Sequence, residues 1–221
     1  MKFSEVNTSQ SRWLLLDASF PQCLCGVLKG DGQWIAVHKG QTGALKDLHN
    51  GIRLCLEQAG ILLEDVSGFL YCEGPGSILG LRLAAMMLRT WRSIPSLSAK
   101  PLFAWRSGPL AAEIHGGKDV LVASISRQGC WCIWDREGGW REVKTEALQA
   151  FRERDCLLLP QRKSWEPPPA FFKTISENPL LPHPNQLLND RLLCPMETPD
   201  VFVVRPAGYQ TWKSPFPTTH E

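Results

Sequence analysis

The stretch Ile78 to Trp91 limits most tightly what this chain can become. It carries Leu79, Leu81, Leu83, Ala84, Ala85, Met86, Met87 and Leu88, with charge only at Arg82 and Arg89 and, directly after it, at Arg92. Read as a helix, it is apolar almost all round, and the three arginines, at offsets of seven and three, share one narrow stripe. Such a helix has to be covered on nearly every side. In a chain of 221 residues one sheet face cannot do this, so either other helices of the same chain or another protein must supply the rest. Gly80 and Ala84, four apart, would let a neighbouring helix come close.

The elements around it predict an α/β protein. Trp13-Leu14-Leu15-Leu16-Asp17 is apolar without alternation, as in a central strand covered on both faces. Strands are expected at Cys23 to Lys29 and Gln33 to His38, joined at Gly30-Asp31-Gly32 into an antiparallel meander. A helix follows over 44–59 and stops at Gly60, with Leu45, Leu48, Ile52, Cys55, Leu56 and Ala59 at helical spacing. Then come a strand, Val66 to Cys72, and the loop Glu73-Gly74-Pro75-Gly76-Ser77. The second half reads as a helical stretch over 101–114, strands at 120–126 and 130–135, a third at 140–143 and a short helix near 145–151. The apolar run Leu157-Leu158-Leu159 comes next, and a last strand is expected at Val201 to Val204. Prolines accumulate after Lys144, and no internal repeat is visible. The reading divides the chain into lobes 1–103 and 104–221, with a C-terminal tail returning to the first.

Composition excludes several functions. With 24 Lys and Arg against 22 Asp and Glu, the net charge of +2 is too small for a broad nucleic-acid face. No apolar run approaches the ~20 residues of a membrane span, and Met1 to Glu5 lacks a secretory signal, so a cytoplasmic protein is expected. The eight cysteines include Cys23-Leu24-Cys25 and Cys130-Trp131-Cys132, spaced C-x-C rather than C-x-x-C, which reads as buried free thiols on strand faces. The five histidines make no His-x-x-x-His pair, so a helical zinc site is excluded on spacing.

Three places invite a chemical reading. The loop Gly74 to Ser77, between a strand and a helix, could cradle a phosphate at the helix N-terminus, or it could be a tight structural turn. It is neither a Walker loop nor G-x-G-x-x-G, and the structural turn is favoured. Asp17 could position a metal-bound nucleotide, or it could accept N–H groups of the following turn. Trp131, Trp134 and Trp140 could stack on a base, although core packing is the commoner reason for tryptophan there.

The run Gly74-Pro75-Gly76-Ser77-Ile78-Leu79-Gly80-Leu81-Arg82 resembles the Gly-Pro-Gly-Ser-Phe-Thr-Gly-Leu-Arg of the TsaB (YeaZ) family, matching seven of nine positions. Leu16-Asp17-Ala18-Ser19 is similar to the family's Leu-Asp-Thr-Ser. Val204-Arg205 and Trp212-Lys213 resemble its closing residues. The resemblance implies an actin-like (ASKHA, RNase H-like) fold in two lobes, its mixed sheet an antiparallel meander followed by a parallel strand. It further implies a non-catalytic subunit pairing with TsaD in making N6-threonylcarbamoyladenosine on tRNA. The ATPase TsaE would join the complex, and ATP and metal would sit on the partner. On this reading the pairing helices are 44–59 and 78–92, with Leu45, Leu48, Ile52, Gly80, Ala84, Ala85 and Leu88 at the interface. A homodimer through the same helices, or an ATP-binding enzyme using Asp17, Gly76 and Ser77, are the alternatives. The sequence departs from the family at Ile78-Leu79, where a hydroxyl is lost, and at Ala44, where a histidine is usual.

Overall fold

The computed structural model describes residues 1–117, 119–160 and 167–204. The opening turn α1 (Phe3–Val6) leads into strands β1 (Arg12–Asp17), β2 (Cys23–Lys29) and β3 (Trp34–Gly40), then helix α2 (Ala44–Ala59). Strand β4 (Gly68–Gly74), helix α3 (Ile78–Arg92), the turn α4 (Pro95–Ser98) and strand β5 (Leu102–Arg106) complete the first half. Helix α5 (Ser107–His115) carries the chain to β6 (Val120–Arg127), β7 (Cys130–Asp135), β8 (Gly139–Lys144), β9 (Asp155–Leu158), β10 (Phe172–Thr174) and β11 (Cys194–Pro195).

These strands build two mixed sheets. The first has the order β11-β5-β4-β1-β2-β3 and the second β10-β9-β6-β7-β8. In the first, β1, β2 and β3 form an antiparallel meander, and β4 and β5 add parallel to β1. The second repeats this: β6, β7 and β8 meander, while β9 and β10 add parallel to β6. The protein thus contains one topology twice, although no sequence repeat announces it. The copies differ in their crossovers. Where the first half has the sixteen-residue α2, the second has a seven-residue 3₁₀ segment, Thr145–Phe151.

Alternation along β1 explains its unbroken apolar run. Leu14 and Leu16 enter the core beneath α2 and α3, with Leu48, Ile52, Ala84 and Leu88. Trp13 and Leu15 point the other way and pack with Phe3, Phe103, Leu180 and Leu187. Both faces are dry, as a central strand between two layers requires. The second sheet has its own cores, one around Val120, Val122 and Ala111 and the other around Leu121, Ile133 and Trp131.

Two expectations need correction, at 101–114 and at 201–204. Residues 101–114 are not one helix: Leu102–Arg106 is a strand, buried on both faces as far as Trp105, and helix begins only at Ser107. The apolar run at Leu157 and Leu158, given no element from the sequence, belongs to β9. Residues 201–203 form no strand, although the Phe202 N–H donates to the Glu73 carbonyl at 2.8 Å, extending the edge of β4 by one bond. The expected closing residues Arg205, Trp212 and Lys213 lie outside the described residues. Among the described residues no helix is long and apolar enough to cross a membrane.

In the second sheet the buried carboxylate of Asp135 is clamped by Arg141 at 2.7 Å, Arg154 at 3.2 Å and the Gly138 N–H at 2.6 Å. Burial opposes its charge, but these donors outweigh burial and hold the carboxyl down at about 2. A lowered pKa gives stability that is present above the unfolded value near 4 and lost as pH falls toward 2. Asp135→Asn should therefore destabilise the wild-type fold by about 1–2 kcal/mol at pH 7, after allowance for solvent around the two arginines, and by much less at pH 2.5. Urea unfolding at the two pH values reads this directly.

Candidate functional site

The loop Gly74 to Ser77 lies where β4 hands over to α3, and its glycines answer to packing. Gly74 sits at φ 117°, a conformation that L side chains rarely adopt. A Cβ on Gly76 would stand 2.3 Å from the Ser19 carbonyl oxygen, and one on Gly80 2.2 Å from that of Ala18. The glycines therefore let α3 press against the turn after β1. The Ser77 N–H donates to the Ser19 carbonyl at 2.8 Å, and the Ser77 side chain makes no cap bond. Gly80 is thus spent on the chain's own turn and is not held open for a partner helix.

Asp17, at the end of β1, is fully buried and committed. One carboxylate oxygen accepts the Ser19 N–H at 2.9 Å and the Ser19 hydroxyl at 2.5 Å, and the other accepts the Asn178 amide at 2.7 Å. Burial raises its pKa, and the bonds from Ser19 and Asn178 oppose that shift without reversing it. Asn178 also accepts the Leu180 N–H at 3.0 Å, so the contact is satisfied on both sides. A carboxylate without exposure and bonded in this way turns no oxygen toward solvent, which favours the turn reading of Asp17 over the nucleotide one. Gly76 is exposed and Ser77 half-buried.

The remaining candidates are structural. Trp131 is buried, stacks on Phe172 and donates to the Thr145 hydroxyl, while Trp140 packs over Gly108 and against Phe202. Cys23, Cys25 and Cys55 lie under α2, where the Cys23 thiol and burial push Cys25 well above its usual range. All eight thiols are free, and only Cys194 is exposed. Among the described residues no group of three or more His, Cys, Asp or Glu could hold a metal ion.

The helix pair differs most from expectation. Leu48, Ile52, Ala84, Ala85 and Leu88 are buried in the chain's own core, as is Leu81. Their place in an interface with another protein is therefore corrected: sheet residues of this chain cover them already. Of the expected interface residues only Leu45 faces water, at 63% exposure. The exposed apolar flank is Leu45 on α2 with Ile78 at 53%, Leu79 at 65% and Met86 at 59% on α3. Leu79, half-buried Leu83 and Met86 stand at i, i+4 and i+7, one stripe of the helix. Arg82 borders it. The two helix starts are neighbours, because Gly43, Ala44 and Ser77 line one cleft.

The duplicated meander-plus-parallel topology defines an α/β protein of the actin-like class. The structure is similar to YeaZ from Pseudomonas aeruginosa, with a TM-score of 0.54 and 20% identity over 81% of this chain and 89% of that one. A second solved structure is similar to the same extent in identity and coverage, with a TM-score of 0.52. It is described as an uncharacterised protein with similarity to peptidase YeaZ from Pseudomonas aeruginosa. No family model and no curated protein matches the sequence. At this identity the likeness extends to the fold.

Proposed function

We propose that this chain is a non-catalytic subunit that pairs, through the exposed flanks of α2 and α3, with a TsaD-like subunit in the threonylcarbamoylation of tRNA adenosine. A TsaE-like ATPase would join the complex, and tRNA would be contacted through the partner. The fold shared with YeaZ and the Gly74-to-Arg82 run support the reading. The observation that carries it is the apolar flank itself: Leu45, Leu79 and Met86 stand in water on two adjacent helices. The loss of Asp17 to internal hydrogen bonding argues against chemistry in this chain's own cleft. Association would bury the flank at roughly 25 cal/mol per Å² of apolar area, less the cost of immobilising two proteins.

The test is co-elution with a TsaD-like subunit at micromolar concentration, and unchanged elution of both proteins sinks the reading. Leu79→Glu places a charge in the middle of the exposed stripe. It should weaken association at least tenfold while moving the folding free energy by less than about 0.5 kcal/mol, the usual scale for surface changes. If Leu79→Glu instead converts a self-associated form to monomer and leaves TsaD binding unaffected, the helices serve a homodimer.

A further inference from the structure

A cavity of about 560 Å³ lies on the face of the second sheet that α5 packs against, beside the end of that helix. Its floor is Leu157 on β9 and Ile175 just past β10, both buried in the core that also holds Ala111 and Ala112 of α5. Its outer wall is the segment 175–182, which crosses from the second sheet to the first and is fastened at both ends. The Ile175 N–H donates to the Leu158 carbonyl at 2.8 Å. Further along, Glu177 pairs with Lys39 on β3 at 3.7 Å, the Asn178 amide holds Asp17, and the Trp34 indole donates to the Leu181 carbonyl at 3.3 Å. The cavity is therefore built before any ligand arrives, and its volume falls within the roughly 300–1,000 Å³ of small-molecule sites.

The lining has two kinds of surface. Leu157, Ile175, Leu181 and the rings of Pro179 and Pro182 are apolar. The polar side chains are His115 from the last turn of α5, Lys173 from β10, and Ser176 and Glu177 from the crossing segment. Of these four, Glu177 alone carries negative charge, and Lys39 already answers it. Lys173 pairs with Asp155 at 2.8 Å, but its side chain is 74% exposed, and an exposed pair of this kind is weak and exchanges partners readily. Lys173 can therefore turn to a ligand at little cost. Burial and the charge of His183 hold His115 below its ordinary range, and an anion beside it would offset that repulsion. The walls thus call for a negative charge attached to an apolar body.

We infer that this cavity binds a small molecule with a ring or short chain as its apolar body and one anionic group, a carboxylate in the simplest case. The body lies on Leu157 and Ile175, and the anionic group meets Lys173, His115 and the Ser176 hydroxyl. The crossing segment packs on the face of the first sheet opposite α2 and α3, so the site is separate from their exposed flanks and does not rest on the pairing reading.

Three probes with one ring and different heads decide the matter: indole-3-acetate, tryptamine and unsubstituted indole, each titrated calorimetrically into the full chain at pH 7. Indole-3-acetate should bind saturably at one site, about tenfold or more tighter than tryptamine, with indole between them. Lys173→Glu reverses the charge at the cavity and should weaken indole-3-acetate by about tenfold or more. Ser176→Trp, at an exposed position of the wall, puts a ring into the cavity and should abolish binding while the thermal transition stays within a few degrees of wild type. Leu79→Glu on α3 should leave binding unchanged. Absence of saturable binding, equal affinity for the three probes, undiminished binding in Lys173→Glu or in folded Ser176→Trp, or its loss in Leu79→Glu each overturns the inference.

Discussion

Ala84→Arg should prevent folding rather than interfere with association. Ala84 has no exposure and stands in the layer between α3 and the sheet, among Leu14, Leu16, Phe69 and Tyr71. An arginine there would overpack the layer and bury a cation among apolar side chains. Each effect is costly, and together they exceed about 4 kcal/mol, a large part of the stability of a domain of this size. The expected result is loss of soluble protein, or of the cooperative thermal transition followed by circular dichroism. Native-like melting within a few degrees of wild type would mean that Ala84 faces outward. Leu88→Glu, one turn on and equally buried, should behave the same way. The contrast with Leu79→Glu on the opposite face of the same helix makes the pair of variants a test of helix rotation.

The second large effect is expected at the Asp17–Asn178 contact. Asn178→Ala removes the donor to a buried carboxylate oxygen and leaves it unsatisfied, at a cost of about 2–4 kcal/mol at pH 7. The pH dependence carries a sign. The folded-state pKa of Asp17 lies above its ordinary value, so its effect on stability is most favourable below pH 4 and is lost as pH rises through the folded pKa. Losing the Asn178 amide raises that pKa further, because a bond to the charged form disappears. The penalty of Asn178→Ala should therefore shrink as pH falls from 7 toward 4, and Asp17→Asn in the same chain should recover part of it. Denaturant unfolding of the two single variants and the double variant measures the coupling. A penalty independent of pH would show that Asp17 is not ionised beneath Asn178.

Individual elements show why some of this could be read in advance. Helix α2 appears at the residues its periodicity indicated, 44–59, because its polar face keeps helical spacing and Gly60 closes it in the left-handed conformation. Strand β1 was readable because its two dry faces demand an unbroken apolar run. The stretch after Pro101 was misread for the same reason: Leu102-Phe103-Ala104-Trp105 is buried on both faces, so it lacks alternation and imitates a buried helix. The orientation of α3 was not legible at all. A helix apolar all round has no periodic signal to tell its core face from its open one, and the residues chosen for a partner proved to be those the sheet had claimed.

Asn178 gave no signal either, standing 161 positions from the carboxylate it satisfies. The chain of residues by itself determined the α/β class of the protein, the order of its elements from β1 to α3 and the glycine-bearing turn before α3, since each depends on local spacing and on backbone freedom. Only the tertiary structure decided which flank of α3 stays in water, that Asp17 is closed off, and that one topology occurs twice. Those outcomes depend on contacts between segments far apart in the chain, where burial and hydrogen bonding are settled by packing and leave no periodic trace.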